Sequence, residues 1–140
     1  MIAATERALL DTGVLVAMID RDDEAHETAV AAVDQFRGQL ATTEAVLTEA
    51  LCLLGRTHGG HDGCLRFFLR DGAVLFPSSR ASLARCREIM ERYADLPADY
   101  ADATLISLSE EIGTRVVFTL DRRGFSTYRD RAGKGFEIRP

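Results

Sequence analysis

Residues 115–121 read RVVFTLD, an apolar run that ends in a carboxylate. A second run of the same form lies near the start of the chain, where residues 8–13 read ALLDTG. Short apolar runs that stop at a polar turn are typical of buried strands. We therefore predict one strand over Ala8–Asp11 and another, the clearest in the chain, over Arg115–Leu120.

Helical patterns and further short strands fill the sequence between and after these two runs. Helices are expected over residues 14–19, 24–37, 44–57, 62–70, about 79–93 and about 100–112. Strands are expected at about 39–42, 73–76 and 136–138, and a polar loop over 121–135. Alternation of strands and helices favours a parallel sheet, because parallel strands need crossover connections that are usually helical. We predict the fold class as α/β, a three-layer α/β/α sandwich.

The size and composition of the chain indicate one globular unit. Its 140 residues match an ordinary domain, so we predict a single domain over residues 1–140. No apolar run approaches the roughly 18 residues that a membrane span needs, and Glu6 and Arg7 interrupt any signal-peptide core. The 3 cysteines are an odd number, which favours reduced thiols over a disulfide framework. We expect a cytoplasmic protein without membrane contact.

The charge balance limits how the protein could bind nucleic acid. The net charge is -5, which argues against a broad basic face, because phosphate binding depends on Lys and Arg. Lys134 is the only lysine, so nearly all basic residues are arginines, which can contact phosphates in a bidentate manner. If RNA is the substrate, its binding must be local.

Two acids stand at the ends of predicted strands. Asp11 ends the first strand and Asp121 follows the strand over Arg115–Leu120. In an open parallel sheet, ligands bind beyond the carboxyl ends of the strands, where the strand order reverses. We therefore expect both carboxylates to face the same crevice.

Two further acids lie on helix faces that are otherwise apolar. Glu49 shares its side of a helix with Val46 and Leu53, and Asp102 shares its side with Leu105 and Ile106. A carboxylate in such a position needs a partner. The preceding acid, at position 99, lies about one turn from residue 102 and can approach the same place.

Carboxylates gathered in a partly buried pocket repel one another and lose hydration, unless a cation neutralises them. An all-oxygen ligand set indicates Mg²⁺ or Mn²⁺. The chemistry that follows from such a site is hydrolysis of a phosphodiester, in which a bound ion activates water and stabilises the departing oxygen.

Four short motifs carry a resemblance to a known family. The stretches LLDT at 9–12, LTEA at 47–50, ADA at 101–103 and TLDR at 119–122 resemble, in the same order, the four acidic motifs of the PIN-domain family. The similarity covers essentially the whole chain and is nearest to the VapC-like ribonuclease toxins of bacterial toxin–antitoxin pairs. Gly13 departs from the family pattern, in which serine or asparagine often follows the first acid and threonine.

The resemblance implies a sandwich around a parallel sheet of about five strands. It implies endonucleolytic cleavage of RNA, with Mg²⁺ or Mn²⁺ held by Asp11, Glu49, Asp102 and Asp121 as catalytic and metal-binding residues. Asp99 is carried over only as a supporting acid. It further implies a homodimer and an antitoxin protein that inserts a segment, often with an arginine, into the acidic groove.

Other readings of the sequence remain open at this point. A receiver-like module also places acids at strand ends, although Lys134 is poorly placed for the lysine of such a module. A catalytically inactive PIN-like domain could serve as a binding subunit. His58 and His61 lie near Cys52 and Cys64, but no second pair of ligands supports a zinc site. Whether Thr12 or the Arg122 and Arg123 loop contributes is not decided by the sequence.

Overall fold

A computed structural model describes residues 5–96 and 98–140 of the chain. Its centre is a parallel sheet with the strand order β3-β2-β1-β4-β5. The strands are β1 (Arg7–Leu10), β2 (Gln39–Thr43), β3 (Val74–Phe76), β4 (Val116–Phe118) and β5 (Glu137–Arg139). The predicted α/β class and the five parallel strands are confirmed.

Helices connect the strands and cover the sheet. They are α1 (Thr12–Ile19), α2 (His26–Gln35), α3 (Glu44–Leu53), α4 (Gly60–Leu69), α5 (Arg80–Arg92), α6 (Tyr100–Ile112) and the short α7 (Arg122–Phe125). The first four pack among themselves, while α5 packs mainly on α6. Within the described part of the chain, none of these helices is long and apolar enough to cross a membrane.

Strand β1 lies in the middle of the sheet and is almost completely apolar. Ala8, Leu9 and Leu10 are fully buried. From β1 the chain moves outward through β2 to β3, then returns to the other side of β1 as β4 and continues to β5. The strand order therefore reverses between β1 and β4, where Leu10 is in register with Phe118. The carboxyl ends of these two strands lie side by side at this switch point.

Helix α6 is the most deeply buried helix of the fold. Its residues from Ala103 to Ser109 are all buried, and it contacts β2, α3 and α5. Local signals fix both of its ends: Asp99 caps the first turn, and Gly113 at the other end has a positive φ of 73°, which favours glycine. The first turn of α6 is therefore held firmly at one end of the core.

The structure differs most from the sequence prediction at α3 and α7, whereas the bounds of α1, α2 and α4 differ by one or two residues. Helix α3 ends at Leu53, four residues before the predicted end at 57, because the chain turns there and buries Leu54. Helix α7 lies inside the segment 121–135 that was predicted to be a loop. Its 4 residues are too few to show helical periodicity in the sequence.

Candidate active site

Asp11 lies directly after β1 and is the N-cap of α1. Its Oδ1 accepts a hydrogen bond of 2.8 Å from the backbone N–H of Thr12, and its Oδ2 accepts one of 2.7 Å from the hydroxyl of Thr119. The side chain is almost completely buried. Burial raises the pKa of Asp11, the two hydrogen bonds oppose this rise, and the charges of Asp121 and Asp99 add to it.

Thr119 joins the two strand ends that form the site. Its hydroxyl donates to Asp11 and accepts a hydrogen bond of 2.9 Å from the backbone N–H of Asp121. In the sequence this threonine stands within the stretch TLDR at 119–122, where only the acid was assigned a role. Its place two residues before an acid at a strand end is the signal that could have suggested one.

Asp121 is exposed, and it is held by the turn that follows it. As the N-cap of α7 it accepts a hydrogen bond of 3.0 Å at Oδ1 from the backbone N–H of Gly124. A methyl group at position 124 would collide with Asp121 Oδ2 and would lie 3.0 Å from the hydroxyl of Tyr128. A side chain at position 124 would therefore displace the carboxylate of Asp121 and press on the ring of Tyr128.

Asp99 and Asp102 form a reciprocal cap at the start of α6. The N–H of Asp102 donates to Asp99 Oδ1 at 2.8 Å, and the N–H of Asp99 donates to Asp102 Oδ2 at 3.3 Å. Such a capping box fixes both side chains relative to the helix. Burial, followed by the charges of Asp99 and Asp11, raises the pKa of Asp102 to about 7.

Glu49 approaches the same group of acids from α3. Its side chain is partly buried, and burial followed by the charge of Asp99 raises its pKa, with a smaller contribution from Asp11. The hydroxyl of Thr12 is fully buried and has no hydrogen-bond partner within the described residues. The Thr12 hydroxyl lies near the carboxylate of Glu49 and lowers its pKa, although the two groups do not reach hydrogen-bond geometry.

Besides burial, the charges of Asp99 and Asp121 raise the pKa of Asp11 and of Asp102, and the charges of Asp99 and Asp11 raise the pKa of Glu49. We call the space between these five acids the acidic pocket. Among the described residues, no three acids, histidines or cysteines come close enough to form a complete ligand set for an ion. The carboxylates line the pocket without converging on one point. Their oxygen-only chemistry, mutual repulsion and the unpartnered Thr12 hydroxyl nevertheless suit a hard divalent cation.

The arginines after Asp121 have different surroundings. Arg122 donates a hydrogen bond of 2.6 Å to the backbone carbonyl of Pro140 and so is engaged away from the acids. Arg123 lines, together with Asp121, Gly124 and Tyr128, a recess of about 140 Å³ at the edge of the acidic pocket. Only Arg123 of this pair borders the site.

The fold and the pocket define a class of α/β proteins. In this class, acids from separate chain segments lie together at the topological switch point of a parallel sheet. Residues 8–130 match the model of the PIN domain. The chain is also 30% identical over 135 residues to ribonuclease VapC26 of Mycobacterium tuberculosis, covering 94% of this chain and 99% of that protein. The chain belongs to the PIN domain family.

Solved structures agree with this assignment of the fold. The crystal structure of VapC20 of Mycobacterium tuberculosis, a sarcin–ricin loop cleaving toxin, is similar with a TM-score of 0.75 at 18% identity, over 96% of this chain and all of that one. A toxin–antitoxin complex from Klebsiella pneumoniae is similar with a TM-score of 0.66 at 17% identity, over 86% of this chain and 91% of that one. The receiver-like alternative is not favoured by these similarities.

Proposed function

We propose that this chain is a metal-dependent endoribonuclease and the toxin of a toxin–antitoxin pair. The observation that carries the proposal is the placement of Asp11 at the switch point, where the hydroxyl of Thr119 joins it to Asp121 and where its charge helps to raise the pKa of both Glu49 and Asp102. Membership of the PIN domain family and the similarity to a protein named as a ribonuclease support it. An inactive binding subunit would not need a complete set of acids.

Asp11, Glu49, Asp102 and Asp121 would hold Mg²⁺ or Mn²⁺. When bound, such an ion supplies a nucleophilic water at neutral pH and neutralises charge on the leaving oxygen. The chain's own residues position the carboxylates: the hydroxyl of Thr119 donates to Asp11, and the backbone N–H of Asp99 donates to Asp102. The first turn of α1 adds a positive dipole end beside Asp11, which favours its ionised form.

The charge distribution suits local binding of the substrate. A pocket of several acids in a protein of net charge -5 repels phosphate unless cations are bound. Arg123 is exposed at the rim of the pocket and can contact a phosphate next to the one that is cleaved. Binding of RNA should therefore depend on the divalent ion and on few arginines.

The partner of this protein, on the proposal, is an antitoxin that covers the pocket. An acidic groove is complementary to a segment that carries an arginine, because the guanidinium can pair with two carboxylate oxygens. The similar complex from Klebsiella pneumoniae is named as a toxin with its antitoxin. We further propose that the protein acts as a homodimer in the cytoplasm.

The proposal is tested by cleavage of a mixed RNA pool with Mg²⁺ or Mn²⁺, and again with a chelator. The variants are Asp11→Asn and Asp121→Asn, and the matched control is Asp62→Asn, which removes an exposed acid on α4. We expect metal-dependent cutting by the native protein and the control, and at least a hundredfold loss in the two site variants. Equal cutting by all four folded proteins would refute the assigned site.

The role as a toxin needs a separate test in cells. Induced expression of the native protein should arrest bacterial growth, and expression of Asp11→Asn at the same level should not. Total RNA from arrested cells should contain new discrete ends, mapped by sequencing of cleaved fragments. Growth arrest that persists in the Asp11→Asn variant would separate toxicity from nuclease activity and contradict the proposal.

A further inference from the structure

Tyr128 is a buried tyrosine whose ring is fixed by other aromatic residues. Its side chain is only 2% exposed. The ring packs edge-on against Tyr93 at a centroid distance of 5.0 Å and against Phe125 at 5.1 Å. Phe125 in turn packs edge-on against Phe136. Edge-to-face contacts of this kind favour one ring orientation, so the direction of the Tyr128 hydroxyl is determined by packing.

The hydroxyl of Tyr128 lies between two of the acids. It donates a hydrogen bond of 3.3 Å to Asp102 Oδ2. On the other side it faces Gly124, where an added methyl group would lie 3.0 Å from the hydroxyl oxygen and would also strike Asp121. The missing side chain at position 124 therefore leaves room for both the tyrosine hydroxyl and the carboxylate.

The two carboxylate oxygens of Asp102 differ in their hydrogen bonds. Oδ2 accepts from the hydroxyl of Tyr128 and from the backbone N–H of Asp99. Oδ1 accepts no hydrogen bond from the residues that the structure describes. Two donors on one oxygen hold the carboxylate plane in place and leave the other oxygen without a protein donor.

We propose that Tyr128 is a positioning residue that orients Asp102 for a divalent cation, with Gly124 keeping the space that this contact needs. This inference rests on the proposed metal-dependent function. Groups that hydrogen-bond a metal-binding carboxylate fix its direction, and their loss typically lowers metal affinity about 10- to 100-fold. Tyr128 acts through Asp102 and does not itself contact the ion or the RNA.

The test compares two tyrosine-to-phenylalanine variants in the same aromatic cluster. Tyr128→Phe keeps the ring and removes the hydroxyl that reaches Asp102. Tyr93→Phe is the matched control, since the hydroxyl of Tyr93 accepts a hydrogen bond of 2.8 Å from the backbone N–H of Arg129 and contacts no acid. Binding of Mn²⁺ alone is measured by electron paramagnetic resonance of the free ion. We expect about tenfold weaker binding in Tyr128→Phe and a change below about twofold in Tyr93→Phe.

A double variant separates positioning from a general effect on the fold. In the Asp102→Asn background, adding Tyr128→Phe should change Mn²⁺ affinity no further, because the contact that transmits the effect is already altered. An equal loss in both backgrounds, or native affinity in Tyr128→Phe, would overturn the inference. Failure of the native protein to bind Mn²⁺ at all would instead refute the proposed function, so the two failures are distinguishable.

Discussion

The hydroxyl of Thr119 lies 2.7 Å from Asp11 Oδ2, although the two residues are separated by 108 positions in the chain. The same hydroxyl accepts the backbone N–H of Asp121. One small side chain thus joins the end of β1 to the segment after β4 and sets the relative position of two acids of the site.

Removal of this hydroxyl should affect both stability and activity. Thr119→Val keeps the shape of the side chain but leaves Asp11 Oδ2 and the N–H of Asp121 without their partner. We expect the free energy of unfolding to fall by about 1–3 kcal/mol and RNA cleavage to fall at least tenfold. Urea denaturation and cleavage rates measure the two effects. Thr119→Ser, which retains the hydroxyl, should restore most of both, and a valine variant with native activity would show that the contact is dispensable.

The raised pKa of Asp102 predicts an unusual pH dependence for the metal-free protein. Its pKa is about 7 in the fold and 3.8 for an unperturbed side chain, so the folded state binds the proton more tightly than the unfolded state. The stabilising contribution is fully present below pH 3.8 and is lost as the pH rises through about 7. With a chelator present, the melting temperature of the native protein relative to Asp102→Asn should therefore decrease by roughly 3 °C between pH 5.5 and 8. Parallel melting curves for the two proteins across this range would contradict the prediction.

Divalent metal should reverse part of this loss at high pH. A ligand that binds only the folded state at about 100 times its Kd stabilises that state by about 2.7 kcal/mol. At pH 8, Mg²⁺ should therefore raise the melting temperature of the native protein and of Asp62→Asn by several degrees. The same addition should have little effect on Asp11→Asn. A similar rise in Asp11→Asn would place the bound ion outside the proposed site.

Replacement by alanine should lower RNA cleavage at one glycine near the pocket and leave it nearly unchanged at another. Gly124→Ala brings a carbon into collision with Asp121 and close to Tyr128, so cleavage should fall at least tenfold. Gly13→Ala is the control, because its added carbon would meet Leu120 at an ordinary distance of 3.5 Å. That variant should keep activity within about twofold. Circular dichroism verifies that both variants fold, and equal activity of the two would argue against a requirement for glycine at position 124.

Much of the fold could be predicted from the sequence because its signals are local. Helix α6 was predicted with its observed bounds, since Asp99 at one end and Gly113 at the other are capping residues. The position of Asp11 directly after β1 was likewise predictable from a short apolar run, whereas β4 ends at Phe118, two residues before the predicted end at Leu120. Parallel pairing then placed both acids at one switch point without further information.

The supporting contacts of the site could not be predicted in this way. Thr119 and Tyr128 are ordinary residue types in ordinary sequence surroundings. Their roles depend on partners that are distant in the chain: Asp11 for Thr119, and Asp102 for Tyr128. The spacing of Thr119 from Asp121 could suggest that it has a role, but nothing in the sequence names Asp11 or Asp102 as the distant partner. Helix α7 was missed for a related reason, because a side-chain cap and a single turn define it.

The central position of β1 between β2 and β4 has a consequence for synthesis of the protein on the ribosome. Asp11 emerges early, but the strand that flanks it and the threonine that fixes it follow more than 100 residues later. A nascent chain that has not yet exposed residues 116–121 lacks one wall of the pocket and one of its acids. The candidate site is therefore assembled only after β4 has left the exit tunnel, and a truncated product that stops before β4 lacks Thr119 and Asp121.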